Sequence, residues 1–188
     1  MEGVSDPERV FTRPAGAEDA GAIRDIYAPI VRDTTISFEA EPPDVREIGR
    51  RMAADPFRLP WLVAETAAGV AGYAYAAPFR SRAAYRWSVE TSVYLRASAR
   101  GRGIGRRLYE YLLAELRGLG YVNAYAGIAL PNAASVRLHE AVGFTPIGVF
   151  PAAGYKHGGW VDVGWWVVAL RPPPGTPSPP RAWAPAPG

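Results

Sequence analysis

Two neighbouring stretches of this 188-residue chain hold the residues best suited to chemistry, "WSVETSVYL" (87–95) and "RASARGRGIGRRLYEYLLAEL" (96–116). The second sets Gly101, Gly103 and Gly105 among five arginines ahead of an apolar helical pattern. Glycine lets a ligand approach the backbone closely. The unpaired amides and dipole of a helix start favour negative charge, so the run reads as an anion cradle. In the first stretch, strand alternation places Glu90, Ser92 and Tyr94 on one face and Val89, Thr91, Val93 and Leu95 on the other. A carboxylate on a half-buried strand is costly unless it is paired or used. Either Arg82 or Arg86 neutralises Glu90, or Glu90 handles a proton.

Composition narrows the classes. Hydrophobic residues make up 48% and charged residues 21%, the usage of an ordinary globular protein, and the length suits one domain. The absence of cysteine excludes disulfides, thiolate–zinc sites and a cysteine nucleophile, and two histidines make a histidine-rich metal site a poor expectation. No apolar run reaches the roughly 18 residues that span a bilayer. The polar start "MEGVSDPERVF" has no signal-peptide core, so a cytoplasmic protein is expected. The formal charge of +3 is small for a nucleic-acid protein, and the preference for arginine over lysine reads as coding bias.

The elements that must position these residues follow from periodicity. "RVFTRPA" is a short strand. "GAEDAGAIRDIYAPIVRDT" is a helix with Ile23, Ile26, Tyr27 and Ile30 on one face, which Pro29 should end or kink. "PPDVREIGRRMAAD" is a second helix, ending at Asp55-Pro56. "WLVAET" and "GVAGYAYAAPF" form a hairpin, and the Glu90 strand completes a meander. The glycine run opens a helix that buries Ile104, Leu108, Leu112 and Leu116. "YVNAYAGIAL" is a strand, and a short helix from Pro131-Asn132 is closed by Gly143. "FTPIGVFPAAG" and "WVDVGWWVVAL" are the last two strands. Residues 1–170 are expected to form a single α/β domain with a mixed, mostly antiparallel sheet flanked by helices. Residues 171–188 are too rich in proline to join it and are expected to be largely disordered.

Spacing sorts the possible anions. A triphosphate loop requires Gly-x-x-x-x-Gly-Lys-Ser/Thr, but Arg106-Arg107 opens this helix; a dinucleotide loop requires Gly-x-Gly-x-x-Gly, which 101, 103 and 105 do not supply. The remaining pattern, Arg100-Gly101-Arg102-Gly103-Ile104-Gly105, resembles the coenzyme A pyrophosphate loop of the GCN5-related N-acetyltransferase superfamily. The order of elements resembles that fold from about Val10 to Leu170. "PNAASVRLHEAVGF" is a second mark of the family. "TTISFEAEPP", "RLPWLVAE", "GYAYAAPFRSRAAYRWSVETSVYL" and "AAGYKHGGWVDVGWW" are similar to its phosphinothricin (glufosinate) N-acetyltransferase branch. Thr91-Ser92 and Arg80 depart from that branch in residue type while keeping polarity or charge.

The resemblance implies acetyl transfer from acetyl-CoA to the α-amino group of phosphinothricin or a similar small anionic amino acid. Resistance to that herbicide is one use of such a pocket. No metal is required. An ammonium has no lone pair, so a base must first remove a proton, and Glu90 is the candidate. His139 occupies the place of a proton donor to the departing thiolate, with core packing as its alternative role. Tyr109 is a second donor candidate or a packing residue. The coenzyme is implied to lie on Val93, Tyr94, Leu95, Arg100, Gly101, Arg102, Gly103, Ile104, Gly105, Arg106, Asn132 and Ser135. The amides near Val93 and Leu95 would receive the thioester carbonyl. Asn132 equally suits a helix N-cap. Arg80, Arg82 and Tyr85 are candidates to clamp the substrate's anionic groups with Ser92, while Phe38 and Val163 wall the pocket. The resemblance also implies a homodimer, since enzymes of this kind commonly dimerise. Rival readings are an N-acetyltransferase for methionine sulfone, methionine sulfoximine or another amino acid, a basic nucleic-acid-binding module using the arginine run, and an acyl-CoA sensor without catalysis.

Overall fold

The computed structural model describes residues 10–53 and 59–184. Among these, strands β1 (Phe11–Pro14), β2 (Trp61–Thr66), β3 (Gly69–Pro78), β4 (Ser88–Leu95), β5 (Asn123–Leu130), β6 (Thr145–Lys156) and β7 (Gly159–Ala169) form one sheet. Its order is β1-β2-β3-β4-β5-β7-β6, with β4 and β5 parallel and every other pair antiparallel. The expected mixed α/β sheet and the order of its elements are therefore present.

Helices α1 (Ala20–Asp33) and α2 (Val45–Ala53) cover one face, where Ile23, Ile26, Val31 and Ile48 pack on Trp61, Val63 and Tyr73. Helix α3 (Ile104–Leu119) covers the other with Ile104, Leu108, Leu112 and Leu116, and α4 (Ala133–Ala141) lies beside it. The alternation read in β4 holds: Val89, Val93 and Leu95 join the α3 core and Tyr94 the α1 side.

Pro29 does not end α1, which continues to Asp33. Pro29 and Asp25 are both exposed, so water can take the carbonyl that the missing N–H leaves free. Asp44 Oδ1 caps α2 through the Glu47 amide at 2.7 Å. The end expected at Asp55-Pro56 lies outside the described residues. Gly143 has φ +97° and donates to Glu140 O, the closing role expected of it.

Residues 171–184 carry no helix or strand, yet the Pro-rich segment runs against α3. Gly120 and Tyr121 close that helix by bonding back to Arg117 O and Leu116 O. Two carbonyls left over by helix geometry, Gly118 O and Leu119 O, accept from the Arg181 guanidinium and amide at 2.7 and 2.9 Å. The Trp183 indole donates to Glu115 Oε2 at 2.8 Å. Composition misses such contacts because one arginine and one tryptophan make them.

Candidate active site

Strands β4 and β5 pair only at Ser88↔Asn123, Val89↔Ala124 and Glu90↔Tyr125. Beyond Glu90, β4 stays paired to β3 and β5 to β7, so the sheet opens into a wedge between them. Arg96 N–H points to Ala71 O on β3 at 2.9 Å. By strand alternation the amides of Val93 and Leu95 therefore face away from β3, toward the wedge. Thr91, Ser92, Val93 and Tyr94 line it from β4, with Tyr109, Asn132, Ser135 and His139 from the helices beyond.

The glycine loop lies between β4 and α3. Gly101 and Gly103 adopt φ +74° and +75°, and a Cβ on either would meet nothing within 4 Å. The need for glycine is thus conformational on the protein's side, and the space beside it is open. Gly105 differs: its Cβ would lie 3.0 Å from Leu138 and 3.4 Å from Leu95, so here glycine permits close packing. The first backbone bond of α3 runs from Arg107 N–H to Gly103 O at 3.1 Å, which leaves the preceding amides without an intrahelical partner. Open glycines, free amides and a helix start fit a diphosphate. Arg100, Arg102 and Arg106 are exposed around it, and Arg106 is bound to Glu110 at 2.8 Å.

His139 is 4% exposed, and its Nδ1 lies 2.7 Å from Ser135 O. A carbonyl only accepts, so Nδ1 carries the proton and Nε2 is the acceptor. Tyr109, fully buried, donates its O–H to Nε2 at 2.8 Å. Burial pushes the His139 pKa down, partly opposed by the Ser135 carbonyl, and burial pushes the Tyr109 pKa up. Both are neutral near pH 7. Asn132 Oδ1 accepts from the Ser135 amide at 3.1 Å, so its helix-capping role is present.

Glu90 sits at the last paired position, on the α1 face. Burial raises its pKa, and the Arg80 charge partly opposes the shift. Among the described residues it makes no ion pair, so the alternative of a bridge to Arg82 or Arg86 is not formed. It borders a cavity of about 290 Å³ whose walls include Phe38, Val163, Ile36, Phe150 and Trp165. The wedge and this cavity share Ile36, Gly127 and Ala129, so the two lie side by side.

The proposed clamp is only partly assembled. Arg80 stacks on Phe79 at 4.2 Å and reaches within 5.6 Å of the Trp165 ring, which places it beside the Glu90 cavity. Arg82 and Tyr85 line a second groove with Leu59, Val89 and Tyr121, and Arg80 lines it too. Val89 faces the α3 core, opposite Glu90, so that groove opens on the other side of the strand. Ser92 lies in the wedge. Sequence reading missed Ile36, Gly127, Phe150 and Trp165. One of them was within reach of strand alternation, Trp165 from Val163 on β7. Among the described residues there is no metal-binding cluster, and no helix is long and apolar enough to cross a membrane.

Comparison with known proteins agrees with this geometry. The model of the acetyltransferase (GNAT) domain family matches residues 13–165. The phosphinothricin N-acetyltransferase of Streptomyces viridochromogenes is 44% identical over 93% of this chain and 94% of that one. A methionine sulfoximine/methionine sulfone acetyltransferase of Salmonella typhimurium is 36% identical over 80% and 89%. The crystal structure of a GNAT phosphinothricin acetyltransferase from Sinorhizobium meliloti, in complex with acetyl-CoA, superposes with TM-score 0.83. It is 37% identical and covers 86% of this chain and 88% of that chain. The nucleic-acid-binding alternative has no support among these relatives.

Proposed function

The chain belongs to the GNAT acetyltransferase family, and from that premise we propose that it acetylates the α-amino group of phosphinothricin or a similar small anionic amino acid. The observation that carries the reading is Glu90, a half-buried carboxylate with no ion pair among the described residues, where a substrate-sized cavity meets the wedge. Bound along the wedge, acetyl-CoA supplies a thioester, held by Val93, Tyr94, Leu95, the loop Arg100–Arg106, Asn132 and Ser135.

Glu90 takes a proton from the substrate's ammonium and frees the lone pair that attacks the thioester carbonyl. The Val93 and Leu95 amides receive the carbonyl oxygen as charge develops on it. The departing sulfur takes a proton from Tyr109, whose O–H turns from His139 toward it, and the phenolate recovers a proton from the attacking nitrogen as the amide forms. With Nδ1 protonated and Nε2 accepting, His139 holds that phenol rather than donating itself. Arg80 binds an anionic group of the substrate, and Phe38 and Val163 bound its side chain. Methionine sulfone and sulfoximine are the second reading, favoured by the Salmonella relative. Cytoplasmic placement and homodimerisation belong to the proposal. Ile147, Val149 and Trp160, exposed at 56, 52 and 70% on β6 and β7, supply an apolar face for a second copy.

Free-thiol release from acetyl-CoA across an amino-acid panel tests the reading. Turnover should be highest with phosphinothricin. Turnover of other amino acids with none of phosphinothricin would move the assignment to the second reading.

A further inference from the structure

The walls that Ile36 and Phe38 give to the Glu90 cavity stand on the connection between α1 and α2, which has no helix or strand of its own. Both side chains are large, apolar and exposed, at 39% and 44%. Water would not hold them there, so polar contacts around Ser37 must. Tyr27 bonds the Ser37 hydroxyl at 2.7 Å and Glu39 at 2.8 Å, and Arg51 reaches Glu39 at 2.7 Å.

The longest-range tie comes from β6. Lys156 Nζ donates to Ser37 O at 2.7 Å and to Val31 O at 2.5 Å. Val31 O is among the last four carbonyls of α1, which have no intrahelical partner and lie at the negative end of the helix dipole. One ammonium thus caps α1 and grips the wall segment from below. Two residues earlier on the same strand, the Phe38 ring lies where a Cβ on Gly154 would be, 2.5–2.8 Å from three of its atoms.

Composition marks the same residue. The chain has 21 lysines and arginines, and Lys156 is the only lysine. A compact ammonium turns three donors toward two carbonyls, whereas a planar guanidinium spreads its donors in a rigid fork. The exception falls where two carbonyls converge.

We propose that Lys156 is a positioning residue for the acceptor side of the reaction: it fixes the 34–38 segment so that Ile36 and Phe38 wall the amino-acid pocket beside Glu90. The catalytic half of this statement rests on the acetyltransfer reading above, so the test has an arm that needs no activity. Amide hydrogen exchange at residues 36–39 of the unliganded protein should speed up about tenfold in Lys156→Met. Unchanged exchange overturns the proposal whatever the enzyme acetylates. In steady-state assays the amino-acid KM should rise about tenfold while the acetyl-CoA KM stays within about twofold. An equal rise in both overturns the positioning role in favour of general fold damage. Lys156→Arg keeps the charge and should restore neither readout; full restoration overturns the assignment to the ammonium. Gly154→Ala, which leaves Lys156 intact and displaces the Phe38 ring, should raise the amino-acid KM alone. No change there overturns the part given to Phe38.

Discussion

The phenol oxygen of Tyr109 and Nε2 of His139 lie 2.8 Å apart, although 30 positions separate them in the chain. Their rings meet edge-on at 4.9 Å, with Phe144 against both. The Ser135 carbonyl decides the direction of the bond by holding the proton on Nδ1. Tyr109 therefore donates and His139 accepts, an order that neither residue type specifies alone.

Removing the phenol tests that order. Tyr109→Phe leaves a buried acceptor unpaired, at a cost of about 1–3 kcal/mol. The lost bond had favoured neutral imidazole, so the His139 pKa should rise toward its ordinary value, read by the NMR titration of its ring protons. A further fall would mean that His139 is the donor.

His139 also sets a pH dependence of stability. Its folded pKa is depressed, so the unfolded chain binds the proton more readily. Stability from this group is complete above its unfolded pKa of about 6.5 and is lost as pH falls through that value toward the folded pKa. Urea midpoints should drop between about pH 7 and pH 5. The slope should flatten in His139→Gln; an equally steep slope would assign the effect to other groups.

Glu90 has the opposite sign. Burial raises its pKa, so ionisation destabilises the folded state as pH climbs from the unfolded to the folded value. Glu90→Gln should raise Tm at pH 7 while lowering kcat by about 10²–10⁴, with acetyl-CoA affinity retained. The acid limb of the wild-type rate profile should lie above the ordinary carboxylate range. A variant that loses both stability and activity would indicate a structural carboxylate instead.

Gly103 separates conformational strain from ligand contact. At φ +75° with open space around it, Gly103→Ala should cost about 1 kcal/mol of stability from the left-handed backbone. It should also weaken acetyl-CoA binding by calorimetry, because the new methyl faces the space assigned to the diphosphate. Undiminished affinity would move the diphosphate elsewhere.

The two arginines offered as a clamp should behave differently. Both arginines line the groove on the other side of β4, but Arg80 alone also acts on the Glu90 charge and reaches within 5.6 Å of Trp165, a wall of its cavity. Arg80→Ala should raise the amino-acid KM about tenfold or more, and Arg82→Ala much less. Since Arg80 holds the Glu90 pKa down, its loss should also move the acid limb of the rate profile upward. Equal effects would mean that the loop acts as one unit.

Much of the molecule was legible in the chain because its determinants are local. Period-two and period-3.6 patterns gave each strand and helix in order, and glycine spacing excluded triphosphate and dinucleotide loops before any coordinates. Glu90 stood out because a carboxylate in an alternating strand requires an explanation. Tertiary structure alone decided the rest. Where β4 leaves β5 depends on what each strand pairs with on its other side. The reach of Arg80 toward Trp165, the Tyr109–His139 bond and the grip of Lys156 on Val31 and Ser37 join residues remote in sequence. Periodicity reports which face a side chain takes; only packing reports what waits on that face.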